Sequence, residues 1–384
     1  MEAYLDNSST TRCSKAALDK MIKVYTEDYG NPSSMHTKGV EAEDYVIEAK
    51  DAIARTLRVK PAEIYFTSGG TESNNLAVIG AALANKRKGM HVVTSSYEHP
   101  SVANPVHALE DMGFSVTYLP SDSSGAISPD HLRDAIREDT VLVTLMHVNN
   151  EIGSVTPIEE FGPIIKQANP STLFHVDAIQ SYGKFEIRPT RAKIDMLSVS
   201  GHKIHGPKGV GFLYVREGTK ISPLLYGGGQ QDGLRSGTEN VPGIAGLGVA
   251  ASAAYEDIEA DRHRLFDLKK RFADGVSGIE GVTFNGPELA AGAPHILSVS
   301  VENVRAEVLL HSLEEKGVYV SAGSACSTHK RAASATLTAI GTRASLLEST
   351  VRVSFSVTNT PEEIDYAAEC FGELIPMLSA FTRK

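Results

Sequence analysis

Four short runs place polar side chains where apolar, β-branched stretches end. TSGGTESNN sets Gly69, Gly70 and Thr71 between such a stretch and a helical pattern starting near Glu72. Bare backbone N–H groups at a helix N-terminus can seat a phosphate, although a glycine-rich turn into a helix is also simply a turn. HVDAIQ sets Asp177 at a strand end with Gln180 one helical turn further on. That carboxylate either caps the next helix or faces a protonated ring nitrogen, which keeps a pyridine cofactor electron-withdrawing. SVSGHKIHGPKGVG ends its strand in Ser200, Gly201, His202 and Lys203. Lys203 is then either an exposed loop lysine or a Schiff-base lysine beside hydroxyl and imidazole donors. HVNNEIG offers Asn149, Asn150 and Glu151, whose amides also suit a turn. Ligands of open α/β sheets bind outside the carboxyl ends of strands. A phosphate seat, a strand-end aspartate and a strand-end lysine are the minimal equipment for pyridoxal phosphate.

The elements that must position these residues follow from periodicity. From about Val40 to Val215, short β-branched runs alternate with helical patterns, the signature of a mainly parallel sheet covered by helices on both faces. Seven strands are expected: EIYFTS near Glu63, HVVTSS near His91, SVTYLP near Ser115, VLVTLMHV from Val141, TLFHVDA from Thr172, IDMLSVS from Ile194 and VGFLYV from Val210. Between Val40 and Leu57, apolar residues recur at Ala42, Tyr45, Val46, Ala49, Ala52 and Ile53, which is helical spacing. After Gly227–Gly229 a long helical region runs from about Val241 to Val276. The remainder mixes strands near Ile296 and Val351 with helices over Arg305–Lys316 and Pro361–Leu378. The expected fold is therefore α/β: a large, mainly parallel seven-stranded domain over residues 16–260, and a smaller α+β domain over 1–15 and 261–384.

Bulk properties narrow the function. The 384 residues, 41% apolar and 22% charged, suffice for two cores. With 37 basic and 47 acidic residues the net charge is −10, which argues against a general electrostatic grip on nucleic acid or an anionic membrane. The longest nearly apolar stretch, Ile244 to Tyr255, falls short of the roughly 20 residues of a membrane span. MEAYLDNSSTTR has no basic start followed by an apolar core, so a cytoplasmic location is the default. Cys13, Cys326 and Cys370 are odd in number and widely spaced. They make neither a disulfide framework nor a zinc pattern, and no metal site is expected. That leaves room for a working thiol in a reducing compartment.

Taken in order, YLDNSSTT, YGNPSSMH, FTSGGTESNN, YEHPSV, HVNNEIG, HVDAIQSYGK, SGHKIHGPKGVG, GGGQQDGLRSGTEN, GSACST and VRVSFS run nearly end to end. The chain thereby resembles the cysteine desulfurases of the class V aminotransferase group, within fold type I of the pyridoxal-phosphate enzymes. The resemblance implies that Lys203 carries the cofactor covalently, Asp177 pairs with its ring nitrogen, Gln180 bonds the ring hydroxyl, and His99 stacks on the ring and moves protons. Gly70, Thr71, Ser200 and His202 would contact the phosphate, with Thr238 reaching in from the second subunit of a homodimer. Arg352, helped by Asn150, would hold the substrate carboxylate, since a guanidinium fork matches it in two bonds.

The resemblance makes Cys326 the acceptor of sulfur from L-cysteine, leaving L-alanine and a persulfide for an acceptor protein, such as an iron–sulfur scaffold or a tRNA-modifying enzyme. SAGSACSTHKRAAS has no apolar period and reads as a mobile loop, which suits a thiol that must reach inward and then outward. His329, Lys330 and Arg331 would favour its thiolate. Cys370 fits a buried position on an amphipathic helix, and Cys13 a bystander. Arg12 stands where many relatives have proline, and the loop lacks the acidic and proline residues that often follow its cysteine. The interval from Cys326 to Arg352 resembles the longer-loop type associated with iron–sulfur assembly. Two other readings stay open: a selenocysteine lyase or other class V enzyme that needs no loop cysteine, and a non-catalytic binding or scaffold protein.

Overall fold

The computed structural model describes residues 1–322 and 334–382. Its thirteen described strands are β1 (Ala3–Tyr4), β2 (Ile64–Thr67), β3 (His91–Ser95), β4 (Ser115–Leu119), β5 (Thr140–Met146), β6 (Leu173–Asp177), β7 (Met196–Ser200), β8 (Gly211–Val215), β9 (Val282–Asn285), β10 (Ile296–Val301), β11 (Val318–Tyr319), β12 (Ser321–Ala322) and β13 (Thr350–Ser354). Seven of them form one sheet in the order β2-β8-β7-β6-β5-β3-β4. Only β8 runs against its neighbours β2 and β7; the remaining pairs are parallel. β5, β6, β7 and β8 are buried along their whole length, as strands covered on both faces must be. Alternate residues serve opposite sides. Val93, Val143, Phe174 and Val199 join one apolar cluster, while Val92, Leu142, Leu173 and Met196 join another.

The helix Thr37–Leu57 buries Ala42, Tyr45, Val46, Ala49, Ala52 and Ile53, the residues whose spacing predicts it. The long helical region divides in two, Val241–Ala253 and Ile258–Val276, because Asp257 caps a new N-terminus by accepting from the Ala260 N–H. The first half is buried on nearly every side, against the helices Lys15–Thr26 and Thr37–Leu57. Two expectations at strand ends need correcting. The helix after β2 begins at Gly70 rather than near Glu72. No helix follows Asp177; the chain turns tightly instead, Ser181 and Tyr182 both donating to the Ala178 carbonyl.

A second, antiparallel sheet has the order β12-β13-β10-β9, and β1 pairs in parallel with β11. Its core gathers Ala3 and Leu5 from the N-terminus with Leu268, Phe272, Val299, Val353, Phe355 and Phe371. Phe272 and Phe371 meet edge-on at 5.2 Å. Residues 6–11 then leave this core and cross to the carboxyl ends of the seven-stranded sheet.

Candidate active site

β2, β3, β5, β6 and β7 point the same way, so the turns after them gather along one edge of the sheet. Gly69 follows β2 with φ +146°, a conformation open to glycine. It directs the chain into the helix that starts at Gly70. A Cβ on Gly70 would lie 2.3 Å from Ile179 Cδ1, and one on Gly69 would lie 3.7 Å from Ser200 Oγ. The bare helix terminus therefore faces the end of β7 across a narrow gap, with Thr71 exposed beside it. Such a terminus, with backbone N–H groups and the Thr71 hydroxyl at its start, could hold a phosphate. His202 stands next to it, its Nδ1 3.1 Å from Thr10 Oγ1. Burial, then the charges of Lys203, Lys208 and Lys184, hold its pKa down to about 4, so the ring is neutral near pH 7.

Asp177 ends β6, 5% exposed. Its Oδ1 accepts the Ile179 N–H at 3.0 Å and its Oδ2 accepts Asn74 Nδ2 at 2.8 Å. With no helix after it, the carboxylate is no helix cap: Oδ1 closes a local turn. Asn74 lies one turn beyond Gly70, wholly buried, and its other amide proton goes to Ser101 Oγ at 2.9 Å. The Ser101 hydroxyl must then donate to His99 Nδ1, 2.7 Å away, which also accepts the Ser101 N–H at 3.1 Å. His99 is the N-cap of the helix Pro100–Asp111. With Nδ1 an acceptor, the proton of the neutral ring sits on Nε2. Burial, and then the Lys203 and Arg352 charges against the opposing pull of Asp177, keep His99 below its ordinary pKa.

Beside it, Glu98 is buried and its pKa is pushed up to about 8, chiefly by desolvation. Its Oε1 accepts Ser95 Oγ and the Met146 N–H; Oε2 has no partner among the described residues.

Lys203 closes a short 3-10 turn after β7. Its Nζ donates to the carbonyls of Ser8 and Ser9 at 2.5 and 2.7 Å. Gln180 donates to the Ser8 carbonyl at 3.0 Å. Arg352 comes from β13 of the second sheet, 7% exposed, and its Nη1 donates to the Asn150 carbonyl at 2.8 Å. The structure thus brings Asn150 to Arg352 through its backbone. The charges of Asp177, Lys203 and Arg352 bear on His99, and that of Lys203 bears on Asp177. Thr238 stands exposed, and no hydrogen bond among the described residues joins it to this group. Cys326 lies outside the described residues. Cys370 is buried and Cys13 half-buried.

Several participants escape a reading by strand ends alone. Asp6, Ser8 and Ser9 come from a segment far away in sequence, although YLDNSSTT contains them. Asn74 and Ser101 sit inside TESNN and YEHPSV, and the helical spacing from Gly70 to Asn74 is the signal that finds the first. The donor set fits a phosphorylated pyridine: a buried carboxylate with one protein donor on each oxygen, a lysine, an imidazole and a glycine seat on one edge.

The class-V aminotransferase model matches residues 3–367. A protein named cysteine desulfurase IscS from Methanosarcina thermophila is 43% identical over 375 residues, covering 98% of this chain and 92% of its own. A putative cysteine desulfurase IscS 1 from Bacillus subtilis is 42% identical over 379 residues, with 98% and 99% covered. Among solved structures, a NifS-like protein superposes with a TM-score of 0.93 at 38% identity, covering 98% of this chain and all of its own. SspA in complex with cysteine has a TM-score of 0.81 at 36% identity, with 93% and 100% covered. Motif order, sheet topology and full-length similarity agree: the chain belongs to the class-V aminotransferase family, in the branch of the cysteine desulfurases.

Proposed function

We propose that the protein is a pyridoxal-phosphate-dependent cysteine desulfurase, which takes sulfur from L-cysteine, releases L-alanine and holds a persulfide on Cys326 for an acceptor protein. The observation that carries this reading is the convergence of Lys203, Asp177, His99 and the glycine seat on one sheet edge, facing an arginine from the second sheet. Gly70, Thr71, Ser200 and His202 would hold the phosphate, Asp177 the ring nitrogen, Gln180 the ring hydroxyl, His99 the ring face and Lys203 the carbonyl carbon. Bound there, pyridoxal phosphate withdraws electrons from the substrate Cα. The exposure of Thr238 supports its reaching a second subunit, as a homodimer with shared sites requires.

The chain's own residues divide the remaining work. Arg352, with Asn150, anchors the substrate carboxylate and so orients Cα toward Lys203, which moves the Cα proton. His99, with its proton on Nε2 and Nδ1 occupied, is set to donate at the substrate sulfur or carbon. The Cys326 thiolate attacks the substrate sulfur; the new S–S bond forms as the Cβ–S bond breaks, its electron pair stays with the carbon skeleton, and protonation there yields alanine. No described helix is long and apolar enough to cross a membrane, and a cytoplasmic setting with an iron–sulfur scaffold or tRNA-modifying enzyme as acceptor completes the reading. The boundaries 16–260 for the large domain, and 1–15 with 261–384 for the small one, belong to it too, supported by the separate apolar clusters.

Mass spectrometry after addition of L-cysteine tests it. One added sulfur on the Cys326 peptide is expected, and none on Cys13 or Cys370. Undiminished alanine release by Cys326→Ala points instead to a class V enzyme that needs no loop thiol.

A further inference from the structure

Asp6 forms a parallel bridge with Ser354, two residues beyond Arg352 on β13, and its side chain closes a triangle with that arginine. Asp6 Oδ1 accepts Arg352 Nη2 at 2.9 Å and Ser9 Oγ at 2.7 Å, while Ser9 Oγ accepts Arg352 Nη2 at 2.6 Å. The two side chains of the ion pair are 8% and 21% exposed. Arg352 Nε is buried with no partner among the described residues.

A carboxylate gripped by two parallel bonds takes two N–H groups from one edge of the guanidinium. The two edges able to do this, Nε with Nη2 and Nη1 with Nη2, share Nη2. That shared nitrogen is the one that Asp6 and Ser9 occupy. A buried guanidinium with no counter-charge is costly, so Asp6 lets Arg352 sit in place before any substrate arrives. The consequence falls on binding. An incoming carboxylate must displace Asp6 from Nη2 or share it, exchanging one ion pair for another.

We propose that Asp6 is an affinity-setting residue, an internal carboxylate that competes with the amino-acid carboxylate for Arg352 and keeps substrate and product binding loose enough for release. This rests on the reading of Arg352 as the carboxylate anchor. Asp6→Asn is nearly isosteric and keeps an oxygen for Ser9 and Nη2, but removes the charge.

The experiment is equilibrium binding of L-alanine to the holoenzyme, followed by its absorbance, beside steady-state kinetics with L-cysteine. Two groups coupled through one partner typically differ by about fivefold or more in affinity. Asp6→Asn is therefore expected to bind L-alanine at least about fivefold more tightly and to lower KM for L-cysteine, with kcat unchanged or reduced by slower release. Ser9→Ala, which returns one Nη2 proton, is expected to change both in the same direction by less, and it decides the matter if Asp6→Asn does not fold. Alanine affinity unchanged or weakened in the folded variants overturns the role of Asp6. Arg352→Gln separates the two ideas: alanine binding as tight as in the wild type overturns the anchor itself, whereas its loss alongside an unresponsive Asp6→Asn overturns only the competition.

Discussion

Asn74→Leu removes the two donors that tie Asp177 to Ser101 while keeping the branching and the number of side-chain heavy atoms. Asp177 Oδ2 then loses its 2.8 Å bond and Ser101 Oγ its 2.9 Å bond, both inside a buried site. A hydrogen bond to a charged group contributes about 1.5–3 kcal/mol and a neutral one about 1 kcal/mol. The leucine also removes the amide oxygen Oδ1, buried without a partner, which returns about 1 kcal/mol. The net loss is about 2 kcal/mol, nearly all of it on the ionised form of Asp177, and at 1.4 kcal/mol per factor of ten this is about 30-fold.

Because the lost donor favoured the carboxylate, the pKa of Asp177 should rise by about one unit or more. Ionised Asp177 is the form that would pair with a ring N–H, so pyridoxal phosphate should dissociate from the variant at a higher pH than from the wild type as the solution is acidified. The assay is the cofactor retained per chain after dialysis across a pH series, with circular dichroism as the control for folding. Cofactor affinity within twofold of wild type at neutral pH, and an unmoved acid limb, refutes the assignment of Asn74 as the residue that holds Asp177.

Three further outcomes follow from other parts of the structure. Glu98 has a folded pKa raised from 4.5 to about 8, so the folded chain binds one more proton than the unfolded one between those values and loses stability as pH rises through that window; Glu98→Gln should flatten this decline in denaturant titrations run across it. Gly70→Ala puts a Cβ 2.3 Å from Ile179 Cδ1 at the helix terminus, and should weaken binding of pyridoxal phosphate far more than of pyridoxal, as measured by fluorescence titration. Phe272→Ala empties a fully buried site in contact with Phe355 and Phe371; it should cost about 3–5 kcal/mol, seen as a lower denaturation midpoint, with cofactor contacts unchanged in the chains that remain folded.

Much of this site is legible in the chain. β5, β6, β7 and β8 of the large sheet are mostly apolar runs because both their faces are covered, and such runs announce themselves without a partner. Their ends announce the site, since polar residues that follow a buried strand must stand at its edge: Gly70, Asp177, Ser200 and Lys203 are all found this way. Helix boundaries are less legible. The break at Asp257 and the turn after Asp177 depend on whether a side-chain oxygen reaches a particular backbone N–H, which spacing does not decide.

What the sequence determined by itself is the set of side chains able to do chemistry, because a thiol, a lysine, a carboxylate and a glycine turn are properties of residue type and local period. Only the tertiary structure decided their partners. Asp6 meets Arg352 across 346 residues, Lys203 meets Ser8 across 195, and Asn74 meets Asp177 across 103. Hydrogen bonds of that separation exist because two cores have packed and set the N-terminal segment across the sheet edge. Their cost in chain entropy is met by burial elsewhere, so no local pattern records them.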